Sequence, residues 1–315
     1  MDVIAMGEVL IDFAMRGTDE NGYPLMQANP GGAPGNYLAA LAKYGFRTGF
    51  IGKVGNDAFG HMLKRSLSEI GIDTTGLLMT DRVFTTLAFV TFDENGDRSF
   101  SFARKPGADT DLRFEECDLK LIDQAKVFHF GTLSLTDEPV RTATKKLAAY
   151  AKDQGKLISF DPNLRLPLWE TESAAKESIL WGLVQADVVK ISDEEVEFLW
   201  GISPKEGAEK ILNEYDTGLV FVTLGPEGCF YANKNGCGMV AAPAVNPIDT
   251  TGAGDIFGGS AMSRILKTGK DPKDLTPDEM EQTVRFASAA ASLSTERAGG
   301  MGSVPSEEEV RDLIS

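Results

Sequence analysis

Short apolar runs recur at residues 127–130, 157–160, 188–191 and 219–223, about 30 residues apart. That interval is the length of one strand and its return helix. Between the runs lie segments with helical spacing: 140–151, rich in Ala and Lys, then 174–184, then 194–199 followed by 206–212. Strands that alternate with helices in this way form a parallel sheet covered by helices. In such a sheet, ligands bind at the carboxyl ends of the strands. Those ends are residues 131–134, 161–165, 192–195 and 224–228, so the four segments are expected to line one rim.

One later turn supplies chemistry for that rim. Asp249-Thr250-Thr251-Gly252-Ala253-Gly254-Asp255 precedes an apolar segment with helical spacing, Ile256, Phe257, Met262, Ile265 and Leu266. A turn this small can aim several backbone N–H groups at one point, and the helix behind it adds the positive end of its dipole. That is an anion site. A carboxylate there would repel the anion unless Asp255 takes a proton from a nucleophile that attacks it. The pattern therefore points to phosphoryl transfer to a hydroxyl group. Two other readings compete. The turn could be a tight connection whose Asp offsets the helix dipole. Gly252, Gly254 and Gly258 could also be a dinucleotide fingerprint, but they are out of register for it and far from a first strand–helix turn. No P-loop pattern occurs.

Composition narrows the partners. A chain of 315 residues can bury a large core without disulfides, and its net charge of −16 argues against nucleic acid and anionic membranes. Cys117, Cys229 and Cys237 are widely spaced, and with only His61 and His129 no zinc pattern forms. The run Val3-Ile4-Ala5-Met6 reads as a strand at the very start, and no stretch is long and apolar enough to span a bilayer. The expectation is a soluble, cytoplasmic protein.

Two segments break the rhythm. Residues 17–29 are polar, with a turn at Asn21-Gly22; residues 85–102 alternate and are split by Asn95-Gly96, as a β-hairpin would be. Together they could form a small sheet acting as a lid over the rim, or the hairpin could extend the main sheet. Upstream, Gly31-Gly32-Ala33-Pro34-Gly35-Asn36 precedes a helix and lets a ligand approach the backbone. Asn36 offers a donor and an acceptor to a sugar hydroxyl, or caps the helix. Asp12 closes the run 7–12 and could grip two hydroxyls from the end of a strand.

These segments resemble the paired signatures of the PfkB, or ribokinase-like, carbohydrate kinases. Residues 31–60, GGAPGNYLAALAKYGFRTGFIGKVGNDAFG, match the first; residues 249–262, DTTGAGDIFGGSAM, match the second. The stretches GEVLIDF (7–13), KPGADTDL (105–112), FDPNLRLPLW (160–169), VKISDEEVEFL (189–199) and VTLGPEGC (222–229) look like those of the family's fructokinases. The resemblance spans essentially the whole chain.

It implies a doubly wound, mostly parallel α/β sheet flanked by helices, one ribokinase-like kinase domain over 1–315, and a lid from about 13–30 and 84–104. It implies ATP with Mg²⁺, and K⁺, as cofactors. Asp255 would be the base, and the backbone of Gly252, Ala253 and Gly254 the anion hole. Asp12, Gly31, Gly32 and Asn36 match sugar-binding positions. Arg165 would touch phosphate or sugar, and Arg104 would reach the substrate from the lid. The nucleotide would lie along Lys190, Ser192, Glu195, Thr223, Gly225, Gly228, Gly252, Gly254 and Ser288, with Glu195 ordering Mg²⁺ through water. Ser192 and Ser288 stand where the family often has Asn. A monovalent cation would lie among Asp249, Thr251, Ser294, Arg297, Gly299 and Ser303.

The expected reaction is ATP-dependent phosphorylation of D-fructose to fructose 6-phosphate. A 2-keto-3-deoxygluconate kinase is the sister reading, kept open by Arg104 and Arg165, with ribokinases and nucleoside kinases behind it. A catalytically silent sugar-binding or sensing protein is the alternative of a different class. The lid aromatics Phe89, Phe92, Phe100 and Phe102 would pack between two subunits of a homodimer, or on the molecule's own core.

Overall fold

The computed structural model describes residues 1–92 and 98–315. The strands, in chain order, are β1 (Val3–Met6), β2 (Leu10–Thr18), β3 (Pro24–Gly31), β4 (Thr48–Gly55), β5 (Ile72–Asp73), β6 (Leu77–Thr80), β7 (Leu87–Phe92) and β8 (Arg98–Ala103). Then follow β9 (Val127–Gly131), β10 (Leu157–Asp161), β11 (Val188–Ser192), β12 (Leu219–Thr223), β13 (Cys229–Asn233) and β14 (Gly236–Val240). The helices are α1 (Ala33–Lys43), α2 (Ala58–Ile70), α3 (Lys120–Asp123), α4 (Val140–Asp153), α5 (Glu172–Gln185), α6 (Asp193–Trp200), α7 (Pro204–Glu214), α8 (Ala253–Thr268), α9 (Pro277–Thr295) and α10 (Glu307–Ile314).

The main sheet runs β14-β13-β12-β11-β10-β9-β1-β4-β5, with β6 also on β4. It is parallel from β12 to β5, and β13 and β14 add an antiparallel edge. Each expected apolar run is a strand, and the helical segments cover the sheet on both faces. Alternation along β1 shows the division: Val3 and Ala5 enter the core beneath α1, α8 and α9, while Ile4 and Met6 enter the core beneath α4, α5 and α7. Successive side chains of a strand point to opposite faces, so a strand covered on both sides must be apolar throughout.

The run 7–12 is not the end of the first strand. β1 stops at Met6, and the chain crosses at Gly7 into β2, where Asp12 is the third residue. Gly7 has φ 155°, and a side chain there would come within 2.7 Å of the Pro34 ring. The crossing carries β2 into a second sheet ordered β3-β2-β7-β8. The hairpin expected at 85–102 therefore joins this second sheet and does not extend the main one; its turn at Asn95-Gly96 lies outside the described residues. Phe89 stacks on Phe13 with ring centroids 5.3 Å apart, and Phe13 meets Phe59 of α2 edge-on at 5.6 Å. Phe89 thus packs within its own molecule.

The root of β8 is fixed by Arg104 to the segment that follows β9, and Arg104 is not part of the lining of the cavity between the sheets. Its guanidinium pairs with Asp109 at 2.7 Å and donates to Thr136 Oγ1 and the Leu133 carbonyl; Arg104 and Asp109 are both buried. Thr86, just before β7, also donates to Asp109. A buried fork satisfied on this many sides cannot swing to a ligand without breaking an ion pair in low dielectric. Removing one partner leaves an uncompensated charge, so Asp109→Ala is expected to lower folding stability by about 3–5 kcal/mol. Urea unfolding checks this; a loss below about 1 kcal/mol would mean the pair behaves like an exposed one.

Candidate active site

A cavity of about 610 Å³ opens between the second sheet and the carboxyl rim of the main sheet. Leu10, Asp12 and Phe102 come from the second sheet; Leu133, Asn163, Arg165 and Glu194 come from the rim; Asn36 and Asp255 come from α1 and α8. Three of the four expected rim segments thus face it. The fourth, 224–228, is not part of its lining.

The floor is the turn that starts α8. Gly252 has φ 79° and caps the helix, a left-handed conformation that glycine adopts without a side-chain clash. The first intrahelical bond runs from Ile256 N–H to the Gly252 carbonyl, so the N–H groups of Gly254 and Asp255 precede the ladder. Ala253 N–H turns back to the Thr250 carbonyl at 3.3 Å. Of the N–H groups in the expected anion hole, that of Ala253 is thus turned toward Thr250, and that of Gly254 stands ahead of the ladder. Lys190 reinforces the Gly254 end: a Cβ on Gly254 would lie 3.1 Å from Lys190 Nζ, which places a positive charge against the turn. Lys190 pairs with Asp161 at 3.1 Å.

Asp255 accepts a hydrogen bond from Asn36 Nδ2 at 2.8 Å. Burial pushes its carboxyl above the usual carboxylate range, against the pull of that bond and of Lys190 and Arg165. Asn36 is wedged between two glycines. A Cβ on Gly252 would come within 2.8 Å of Asn36 Nδ2, and one on Gly300 within 2.5 Å of Oδ1. Asn36 Oδ1 is buried and has no protein partner. A buried acceptor left open beside a cavity suits a ligand hydroxyl.

Asp12 lies across the cavity, its pKa raised to about 6 by burial. Its Oδ2 occupies the space a side chain at Gly31 would need, since a Cβ there would fall 2.0 Å away. Gly32 is equally constrained, with φ 117° and the Glu8 carbonyl 2.5 Å from where its Cβ would be. Arg165 lines the wall and donates to the Leu164 carbonyl at 3.0 Å. Two residues before it is Asn163, at φ 45°, whose N–H bonds Asp161 Oδ1 at 3.1 Å.

The residues expected to hold a nucleotide are less concentrated. Ser192 caps α6 reciprocally with Glu195. Glu195 accepts from Leu164 N–H at 2.7 Å and from Ser192 N–H at 2.8 Å, which ties the 161–165 loop to α6. Thr223 stands beside Ser192 in register at the end of β12. Gly225 and Gly228 shape the next turn, with φ 52° and 116°. Ser288 is buried in α9 with an unpartnered hydroxyl. None of these last four lines the cavity.

Of the expected cation set, Asp249, Thr251 and Gly299 come together. Asp249 accepts from Thr251 N–H at 3.0 Å, from Thr251 Oγ1 at 2.6 Å and from Gly299 N–H at 3.3 Å. The Ser294 and Ser303 hydroxyls bond carbonyls of their own turns, and Arg297 pairs with Glu309. Arg297 has only its backbone carbonyl to offer a cation, while the two serine oxygens keep lone pairs beside their carbonyls. Among the described residues, no cluster of three or more His, Cys, Asp or Glu could hold a metal.

Sequence reasoning missed Glu8, Asp161 and Gly300. Asp161 is buried with a pKa raised to about 7, because burial and the nearby Glu195 and Asp255 carboxylates outweigh Lys190. Its position at the end of β10 was a usable signal, since rim acids gather where strands stop.

Comparison with known proteins identifies the family. The model of the pfkB family carbohydrate kinases matches residues 2–307. Fructokinase-1 of Zea mays is 40% identical over 316 residues, covering 99% of this chain and 97% of that protein. A Xylella fastidiosa fructokinase with bound ATP superposes with TM-score 0.89 at 31% identity, covering 99% of this chain and 98% of that one. A double-mutant fructokinase of Vibrio cholerae O395, bound to fructose, ADP and potassium ion, superposes with TM-score 0.88 at 32% identity over 100% and 99% of the two chains. The chain belongs to the pfkB family of carbohydrate kinases and is a sugar phosphotransferase.

Proposed function

We propose that the protein transfers the γ-phosphoryl group of ATP to the primary hydroxyl of D-fructose, giving fructose 6-phosphate and ADP. The observation that carries this reading is the Asn36–Asp255 pair standing over the Gly252 turn inside a cavity roomy enough for a sugar and a phosphate chain. Asp255 accepts the hydroxyl proton, the freed oxygen bonds to γ-phosphorus, and the bond from that phosphorus to the β–γ bridging oxygen breaks as ADP leaves. The turn's N–H groups and the charge of Lys190 bear on the oxygens where negative charge gathers. Asn36 Oδ1 and Asp12 accept further sugar hydroxyls, and the second sheet acts as the lid that excludes water.

The two ions fit in different ways. Both Glu195 oxygens already accept backbone N–H bonds, so this carboxylate suits Mg²⁺ held through water, where the ion would offset phosphate charge. Asp249 orders the 249–251 and 299 segments, whose carbonyls would hold K⁺.

Charge favours a neutral sugar over a keto acid. Among the described residues lining the cavity, Arg165 is the one cation, and it faces Glu8, Asp12, Asp255 and Glu194. Arg104, which a substrate carboxylate would also need, is committed to Asp109. Fructose is therefore expected to exceed 2-keto-3-deoxygluconate in kcat/KM by about 100-fold, on the scale of one poorly compensated buried charge. Coupled ADP release with each substrate measures the ratio. A preference for the keto acid would keep the phosphotransfer and overturn the choice of sugar.

A further inference from the structure

Helix α1 carries Asn36 but has no cap of its own. Its N-cap is Gly32, which has no side chain to offer and can have none, because a Cβ there would lie 2.5 Å from the Glu8 carbonyl and 2.9 Å from Val9 Cα. Pro34 in the first turn has no N–H, and the ladder begins with Asn36 N–H to the Gly32 carbonyl. Ahead of that bond stand the N–H groups of Ala33 and Gly35, and Glu8 Oε1 accepts from Ala33 N–H at 3.0 Å. A carboxylate from another segment thus does what Ser or Asp does at an ordinary N-cap.

Glu8 is buried, 3% exposed, at the wall of the cavity. It sits within electrostatic reach of the Arg104–Asp109 pair at the root of β8. One side chain therefore touches the start of the helix that bears Asn36 and neighbours the anchor of the second sheet.

We propose that Glu8 is a positioning residue for phosphoryl transfer: by holding Ala33 N–H it fixes the first turn of α1, and through Asn36 it sets the orientation of the Asp255 carboxylate. This rests on the reading of Asp255 as the base. Glu8 need not touch the substrate. Its effect passes along a chain of two hydrogen bonds, Ala33 N–H to Glu8 at 3.0 Å and Asn36 to Asp255 at 2.8 Å, joined by one helical turn.

The test uses three variants of the full chain. Glu8→Leu removes the acceptor. Glu8→Gln keeps a carbonyl in its place. Ala33→Pro removes the donor from the other side, at a helix position where proline is tolerated and after a residue whose ψ of 125° suits it. Glu8→Leu and Ala33→Pro are expected to lower kcat about tenfold, with KM for ATP nearly unchanged, while Glu8→Gln stays within about threefold of the parent. Native kcat in Glu8→Leu, or a loss in Glu8→Gln as large as in Glu8→Leu, would overturn the proposal. If Glu8→Leu fails to fold, Ala33→Pro decides by the same criterion. A crystal structure of either of these two variants gives a readout independent of turnover: the Asn36–Asp255 contact is expected to open beyond hydrogen-bonding distance, and an intact contact would overturn the proposal. If the parent phosphorylates no sugar, the functional reading fails, and the crystallographic distance still decides the role of Glu8.

Discussion

Asp255→Asn is expected to lower kcat by about 10³-fold, within the range for loss of a positioned general base. The amide cannot take the hydroxyl proton, yet it keeps an oxygen that can accept from Asn36 Nδ2, so the site keeps its shape. Stability gives a second signature. The folded-state pKa of Asp255 is raised by burial. A group raised in this way contributes stability below its ordinary pKa, and that contribution is lost as pH rises through the folded value. At neutral pH the Asn variant should therefore be at least as stable as the parent while nearly inactive. The parent's kcat/KM should fall as pH drops through the raised value of the base, and protonation of Asp12, at about 6, should weaken sugar binding as pH falls through that value. Turnover against pH together with urea unfolding checks both. An Asn variant that keeps a tenth of the parent's kcat would remove Asp255 from the role of base.

Gly252→Ala is expected to lower kcat by about 100-fold, comparable to losing one donor of an anion hole. Two effects combine. The residue sits at φ 79°, where a side chain costs about 1–2 kcal/mol. The added Cβ would also lie 2.8 Å from Asn36 Nδ2 and 3.2 Å from Gly300 Cα, so either the turn or the Asn36–Asp255 pair must shift. Gly269 separates these effects. It ends the same helix at φ 68° with nothing within 4 Å of a Cβ. Gly269→Ala should carry the backbone strain alone, costing about 1 kcal/mol of stability with kcat unchanged. Equal kinetic losses in the two variants would show that the crowding at Asn36 has no catalytic consequence.

The parts that were legible in the sequence are those governed by local pattern. The apolar runs at 127–130, 157–160, 188–191 and 219–223 each bury both faces of a strand, so their continuity marked the parallel sheet and its rim. The Gly252–Asp255 turn was legible because backbone geometry and charge are specified by adjacent residues. What escaped depends on distant partners. The run 7–12 reads as one strand, but strand structure resumes only at Leu10, and Pro34, distant in sequence, leaves no room for a side chain at Gly7. Arg104 looks like a mobile lid cation until Asp109, Thr136 and Leu133 surround it. Glu8 is an ordinary acid in sequence; its role comes from a cap that Gly32 cannot provide. The nucleotide positions were placed by resemblance; Gly252 lines the cavity, while the others spread over β11, α6, the end of β12 and the turn after it, the start of α8, and α9.

The most direct measurement is ADP release with Mg-ATP and K⁺, with and without D-fructose, followed by phosphorus NMR of the sugar product. The account predicts release that depends on fructose and a single phosphate ester on the 6-hydroxyl. ADP release at the same rate without sugar, or a phosphate at another hydroxyl, would contradict it.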